Sequence, residues 1–235
     1  MDLLVIGIKK MIIITGASKG IGRAICERLI EKKVDVLGLA RNVDDLPFTS
    51  IGCDVSSYDS VKAIAQKLKK NGARVDGLIN AAGIASMNLA VTTPPSVTQK
   101  LINTNLLGTI YCCQLFAPLM LRNKQGSIIN FSTIAVALGL KGESIYAASK
   151  AGVEGFTRSF AREMADFNVK VNCIAPGPID TSLLKGITAE QINKIVSQQI
   201  IPKQFKPDSV ADLVELLIDS RSDSLSGQVL HVGGA

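Results

Sequence analysis

Tyr146 and Lys150 stand four residues apart in the segment Tyr146-Ala-Ala-Ser-Lys150, which puts a phenol and an ammonium on one face of a helix. A free phenol has a pKa of about 10 and is seldom ionised near neutral pH. A cation one turn along favours the phenolate, and lowering the pKa by about three units corresponds to roughly 4 kcal/mol of differential interaction. A tyrosine tuned in this way can give up and recover a proton. On its own the spacing is weak evidence, because helices carry such pairs on solvated faces.

Two further features give it weight. A hydroxyl pair, Ser132-Thr133, lies upstream, and a glycine-rich turn, Thr15-Gly-Ala-Ser-Lys-Gly-Ile-Gly22, lies near the start. Gly16, Gly20 and Gly22 follow an apolar strand pattern and open a helical one. Glycines there let the backbone turn tightly and let a pyrophosphate reach the first helical N–H groups, where the helix dipole favours negative charge. In this order the three features resemble the short-chain dehydrogenase/reductase family, over about residues 11–234. The whole-chain layout looks most like its 3-oxoacyl-[acyl-carrier-protein] reductases.

The resemblance implies a set of roles. Tyr146 would be the acid/base that protonates a substrate carbonyl oxygen while a nicotinamide delivers hydride to its carbon. Lys150 would hold the nicotinamide ribose, and Asn105 would hold a water on the proton path. The family has a serine thirteen residues before the tyrosine. Here that count reaches Thr133, with Ser132 the alternative, and neighbours on a strand face opposite ways. For the cofactor, the turn residues Gly16, Ser18, Lys19, Gly20, Ile21 and Gly22 would take the pyrophosphate. Asp54 and Val55 would hold the adenine. Asn80 would steady the sheet, while Ala81 and Gly83 lie along the cofactor. Pro176, Gly177, Ile179 and Thr181 would meet the carboxamide. At the end of the second strand, Ala40-Arg41 offers a guanidinium where an NAD enzyme carries a carboxylate, and Lys19 adds a second cation. NADP(H) is the expected cofactor.

Those residues must be carried by a larger frame. Apolar runs of strand length at 11–15, 34–39, 77–80, 127–132, 170–174 and 228–232, with a weak one at 50–52, alternate with helical patterns at 21–32, 57–70, 98–121, 145–167 and 208–220. Continuous apolar strands separated by helices predict a parallel sheet covered on both faces. The expected fold is α/β, a single doubly wound, Rossmann-type domain over 1–235 with a mostly seven-stranded sheet. The long connection 176–207 carries four prolines and a short amphipathic stretch, and a substrate lid is expected at about 182–206.

Composition narrows the function. The 235 residues are 47% hydrophobic, enough for a full core. The five cysteines show no CxxC spacing and read as reduced, buried thiols of a cytoplasmic protein, with no metal site. His231 is the one histidine and sits near the end, which argues against a histidine base. The stretch 1–8 is apolar but too short for a signal segment, Lys9-Lys10 follow it, and no run of 18 apolar residues exists. No membrane span is expected. The charge of +6 is dispersed, which argues against nucleic acid and suits an anionic cofactor or an acidic acyl carrier protein.

Within the resemblance, Lys124 supplies one basic carrier contact expected beside the cleft, and Phe167 stands where a second would lie. The leading expectation is an NADPH-dependent 3-oxoacyl thioester reductase. Alternatives are a sugar, polyol or small-alcohol dehydrogenase, or a non-catalytic NADP-binding regulatory protein. The helical patterns at 98–121 and 145–167 carry Leu106, Tyr111, Phe116, Ala151, Val153 and Phe156. These predict a homo-oligomer, dimer or tetramer.

Overall fold

The computed structural model describes residues 11–235; the apolar stretch 1–8 and Lys9-Lys10 lie outside the described residues. The apolar runs become strands, buried in β1 Met11–Thr15, β2 Asp35–Ala40, β4 Val75–Asn80, β5 Gly126–Phe131 and β6 Val169–Pro176 and partly exposed in the edge strands β3 Ser50–Gly52 and β7 Val229–Val232. They form one seven-stranded sheet in the order β3-β2-β1-β4-β5-β6-β7, and every pairing is parallel. The strand order reverses between β1 and β4, which opens a crevice beyond their carboxyl ends.

The helices are α1 Gly20–Glu31, α2 Tyr58–Lys70, α3 Pro95–Leu101, α4 Gly108–Leu121, α5 Ile134–Leu138, α6 Ser144–Ala165, α7 Ala189–Val196 and α8 Pro207–Ile218. On one face Ile25 and Leu29 of α1 and Val210 and Val214 of α8 meet Ile12, Ile14 and Ile79. On the other, Leu68 of α2, Phe116 of α4 and Phe160 of α6 meet Ile13, Leu78 and Ile128. Each such side chain contributes about 1.5–3 kcal/mol by leaving water, and together they hold the strand ends in register. Arg28 of α1 pairs with Asp212 of α8, tying these two helices at their rim.

The helical pattern expected at 98–121 proves to be three pieces. It starts at Pro95, and a π-helical stretch, Ile102–Leu107, joins α3 to α4. The apolar spacing continues through the π turn, so the pattern gives no sign of it. The whole stretch Pro95–Leu121 is long and apolar enough to cross a bilayer by length and composition. Here its Leu101, Phe116 and Met120 are in the core, at most 1% exposed. Phe116 and Val153 are likewise fully buried within the chain, so the expectation that they face a second copy is corrected. All five cysteines are buried and unpaired.

Candidate active site

The turn after β1 is shaped by what its glycines lack. Gly16 has φ +71°, and a Cβ there would stand 2.8 Å from the Ala82 backbone. A Cβ on Gly22 would run into the Gly16 carbonyl. The chain can therefore pass close to the β4 loop and still enter α1 directly. Lys19 sits at the N-cap with extended backbone, makes no side-chain cap, and no acid follows in the first turn. The free N–H groups of α1 face a groove bordered by Gly16, Ser18, Lys19, Gly20 and Ile21, a setting suited to a diphosphate.

Arg41, just past β2, is exposed on the same groove, as is Lys19. Beyond β3, one Asp54 oxygen accepts from the Ser56 amide at 3.0 Å and its hydroxyl at 2.7 Å, which leaves the other free for a ligand. Val55 is buried, and a Cβ on Gly108 would press its side chain at 2.9 Å. Ala81 and Gly83 form the floor. Lys100 and Thr104 close the far wall, along with Ser182 and Leu183. Sequence reasoning missed Lys100 and Thr104, which carry no local motif, and expected Ser182 and Leu183 only as part of the lid at about 182–206.

Asn80 lies behind the groove. Its Nδ2 donates to Asn130 Oδ1 at 2.8 Å, and Asn130 Nδ2 donates to Thr157 Oγ1 at 2.9 Å, joining β4, β5 and α6. Its own Oδ1 is buried without a partner.

Thr133, Tyr146 and Lys150 converge at the end of β5, where each is at most 9% exposed. Thr133 is the N-cap of α5, a helix too short for sequence periodicity to reveal. Its Oγ1 accepts from the Ala135 amide at 3.3 Å, so its own hydrogen is free to turn toward the Tyr146 phenol, which borders the same pocket. Ser132 faces the other way, donating to Glu154 Oε1 at 2.7 Å.

Burial first, and the Glu143 carboxylate second, push the Tyr146 phenol up to about 12, against a lowering contact from Thr133. The lowering expected from Lys150 does not appear. Lys150 Nζ is turned to the Phe131 carbonyl at 2.8 Å, and burial pushes it down to about 8. The protein's own groups therefore favour a neutral, proton-donating tyrosine.

The side chain of Asn105 is fully engaged within the protein. Both Nδ2 hydrogens are committed, to the Ile84 carbonyl and to Ser149 Oγ at 3.0 Å each, and Oδ1 accepts from Ile84 N at 2.9 Å. Ser149 Oγ in turn donates to the Tyr146 carbonyl at 2.7 Å. Asn105 thus locks the loop after β4 to the first turns of α6.

The remaining wall follows β6. Pro176, Gly177 and Ile179 border the tyrosine pocket, and Thr181 borders both pocket and groove. Gly177 has a packing reason besides: a Cβ there would meet Gln199 Oε1, a buried oxygen with no partner. Thr181 accepts from Leu183 N at 3.3 Å and lies against Gly20, joining this wall to the glycine turn. The α7 helix, started by a Thr188/Gln191 capping box, sends Ile192 and Ile195 to the pocket.

A family model described as short chain dehydrogenase matches residues 10–192. The chain belongs to the short-chain dehydrogenase/reductase family. It is 34% identical over 233 residues to carbonyl reductase family member 4 of Xenopus laevis, covering 96% of this chain and 97% of that protein. It is 32% identical over 234 residues to the 3-oxoacyl-[acyl-carrier-protein] reductase FabG of Vibrio harveyi, covering 96% of each. Among solved structures, ligand-free aldohexose dehydrogenase from Thermoplasma acidophilum superposes with a TM-score of 0.87 at 32% identity, over 97% of this chain and 94% of that one. ElxO with NADP bound does so with a TM-score of 0.87 at 30% identity, over 96% and 97%.

One expectation drawn from the family fails on position. Lys124 precedes β5 and its carbonyl accepts from Asn168 Nδ2 at 3.2 Å, whereas the tyrosine pocket lies past the other end of that strand. Six strand residues separate them by about 20 Å. Lys124 is not beside the cleft of its own chain, and Phe167 packs against the core.

Proposed function

We propose that this short-chain dehydrogenase/reductase is an NADPH-dependent ketone reductase, with a 3-oxoacyl thioester as its substrate. What carries the proposal is the Thr133–Tyr146 hydroxyl pair at the floor of an aliphatic pocket. That pocket shares Ile21, Ala81, Gly83 and Thr181 with the cation-fringed groove. The groove fits a dinucleotide: glycines leave room where a Cβ would collide, and the α1 terminus is uncapped. Arg41 and Lys19 would meet a 2′-phosphate, as suits NADP(H). Support also comes from a relative named as a 3-oxoacyl carrier-protein reductase and from a neighbour with NADP bound.

The bound dinucleotide would supply hydride. Thr133 would donate to the substrate oxygen, and Tyr146, neutral with its pKa pushed up to about 12, would pass it a proton as alkoxide charge develops. Lys150 keeps two hydrogens beyond the one given to Phe131, enough to hold a ribose diol. Asn105 and Ser149 would keep Tyr146 in place. Leu183, Leu184, Ile187, Ile192 and Ile195, all bordering the pocket, would let segment 182–206 act as a lid that excludes water and covers an alkyl chain. The partly exposed Tyr111, Leu115 and Phe156, with exposed Ala151, would form the contact of a cytoplasmic homo-oligomer.

The test is NADPH oxidation with an acetoacetyl thioester, then with a panel of ketones and sugars. Turnover of the thioester above the panel supports the assignment. A sugar preferred over the thioester selects the second reading, a polyol or sugar dehydrogenase, which the Glu143 carboxylate in the pocket favours. NADPH binding without turnover of anything would leave a non-catalytic binding protein.

A further inference from the structure

The pocket above Tyr146 carries one anomaly. Its walls are aliphatic, from Ile84 and Leu140 to Ile187 and Ile195, yet one bordering residue is an acid, Glu143. Glu143 is the N-cap of α6, a place where an acidic side chain ordinarily bonds back to its own helix. Here it makes no such cap. Among the described residues its carboxylate has no hydrogen bond and no ion pair. It is half-buried, and burial raises its pKa. Its charge is felt at the Tyr146 phenol, which places it close to the reacting end of the pocket.

An acceptor set in an apolar wall without a partner is costly alone and selective once satisfied. We propose that Glu143 is the specificity-determining acceptor of this site, taking a hydrogen bond from a neutral donor, a hydroxyl or an amide N–H, carried by the substrate. The inference rests on the reductase reading given above, but not on the thioester. A neutral donor fits better than an ammonium, because a cation would lose its hydration among aliphatic walls. A substrate carboxylate would meet like charge and be rejected. Two sources share this chemistry: the amide of a pantetheine-like thioester and the hydroxyl of a polyol-like ketone.

Matched pairs separate them. S-acetoacetyl-N-acetylcysteamine carries an amide that S-ethyl acetothioacetate lacks, and hydroxyacetone carries a hydroxyl where butanone has a methyl. The native enzyme with NADPH is expected to prefer the donor in at least one pair by about tenfold or more in kcat/KM, mostly through KM. Preference within the first pair alone identifies the amide source, and within the second alone the hydroxyl source. In Glu143→Gln, which keeps the shape but loses the charge, the ratio should fall to within about threefold of unity.

The same pairs titrated against the NADPH complex of Tyr146→Phe read binding without turnover. A failure of the reductase reading therefore does not hide the result. NADPH fluorescence titration of each variant reports that the fold persists, and Glu143→Ala repeats the measurement should the glutamine variant not fold. Equal binding within both pairs by the native residue, or a preference that survives both Glu143 variants, overturns the proposal. So does an aminoketone favoured above both donors.

Discussion

The Ser132 hydroxyl donates to the Glu154 carboxylate at 2.7 Å, across the gap between the end of β5 and α6. Glu154 is 7% exposed, and its other oxygen accepts from Arg158 at 3.3 Å. The bond commits Ser132 to α6, and its neighbour Thr133 is presented to Tyr146 on the opposite side. Two adjacent hydroxyls therefore have different work.

That division predicts opposite outcomes for the two alanine variants. Thr133→Ala removes a donor to the developing alkoxide and should lower kcat by about 10²–10³, whereas Thr133→Ser should keep activity. Ser132→Ala leaves Glu154 one partner short. It should lower stability by about 1–3 kcal/mol and touch kcat far less. Steady-state rates beside urea melts check both. A larger kcat loss at Ser132 would reverse the assignment.

The groove's cations predict cofactor choice. Arg41→Asp places a carboxylate where a 2′-phosphate would lie, repelling the phosphate and accepting a hydrogen bond from a free ribose 2′-hydroxyl. The ratio of NADH to NADPH affinity should shift by at least about tenfold toward NADH, since charge-assisted bonds to phosphate are among the stronger contacts. Lys19→Ala should shift it the same way by less. Lys100, on the far wall of the same groove, gives a comparison: Lys100→Ala should change NADPH affinity less than Arg41→Asp does. Equal affinity of the native protein for both cofactors contradicts this.

Much of this site was legible because it is local. The glycine turn, the Tyr146/Lys150 pair and the Ala40-Arg41 strand end each lie within one element and its boundary, and the buried strands declare themselves as apolar runs. What was hidden depends on chain segments that meet only in the fold. Gly177 is small because Gln199, on a distant turn, fills the space of a Cβ. Lys124 fails as a contact beside the cleft because it precedes β5, while the tyrosine pocket lies past that strand's carboxyl end. The π turn around Asn105 preserved the apolar pattern and so left no trace in it.

Buried thiols set the alkaline limit. Burial pushes Cys26, Cys113 and Cys173 up to about 12 from an ordinary 9.0. Each binds its proton more tightly folded than unfolded, so its share of stability is intact below about pH 9 and is lost as pH rises toward 12. Lys150, pushed down to about 8, acts oppositely: between about 8 and 10.5 the unfolded chain holds the extra proton, so stability gains with pH. Urea midpoints should fall from pH 9 to 11, less steeply in Cys113→Ala and more steeply in Lys150→Met. Identical slopes in all three proteins would contradict the assignment.

The chemical step gives the sharpest expectation. Tyr146→Phe keeps the ring that fills the pocket and removes the only buried phenol beside Thr133, so turnover should nearly vanish while NADPH affinity stays within about twofold. Lys150→Ala should weaken both, because its ammonium would hold the ribose as well as stand near the proton path. It also leaves the Phe131 carbonyl without its 2.8 Å donor, so some stability goes with it. Lys150→Met fills the space without restoring that bond, and separates packing from charge. Single-turnover rates with NADPH pre-bound distinguish the cases. In Tyr146→Phe the hydride step itself should be slow at saturating cofactor. In the Lys150 variants part of the loss should be recovered by raising NADPH. A Tyr146→Phe enzyme that turns over at the native rate would mean that another group supplies the proton, and the placing of Tyr146 beside Thr133 would then be structural.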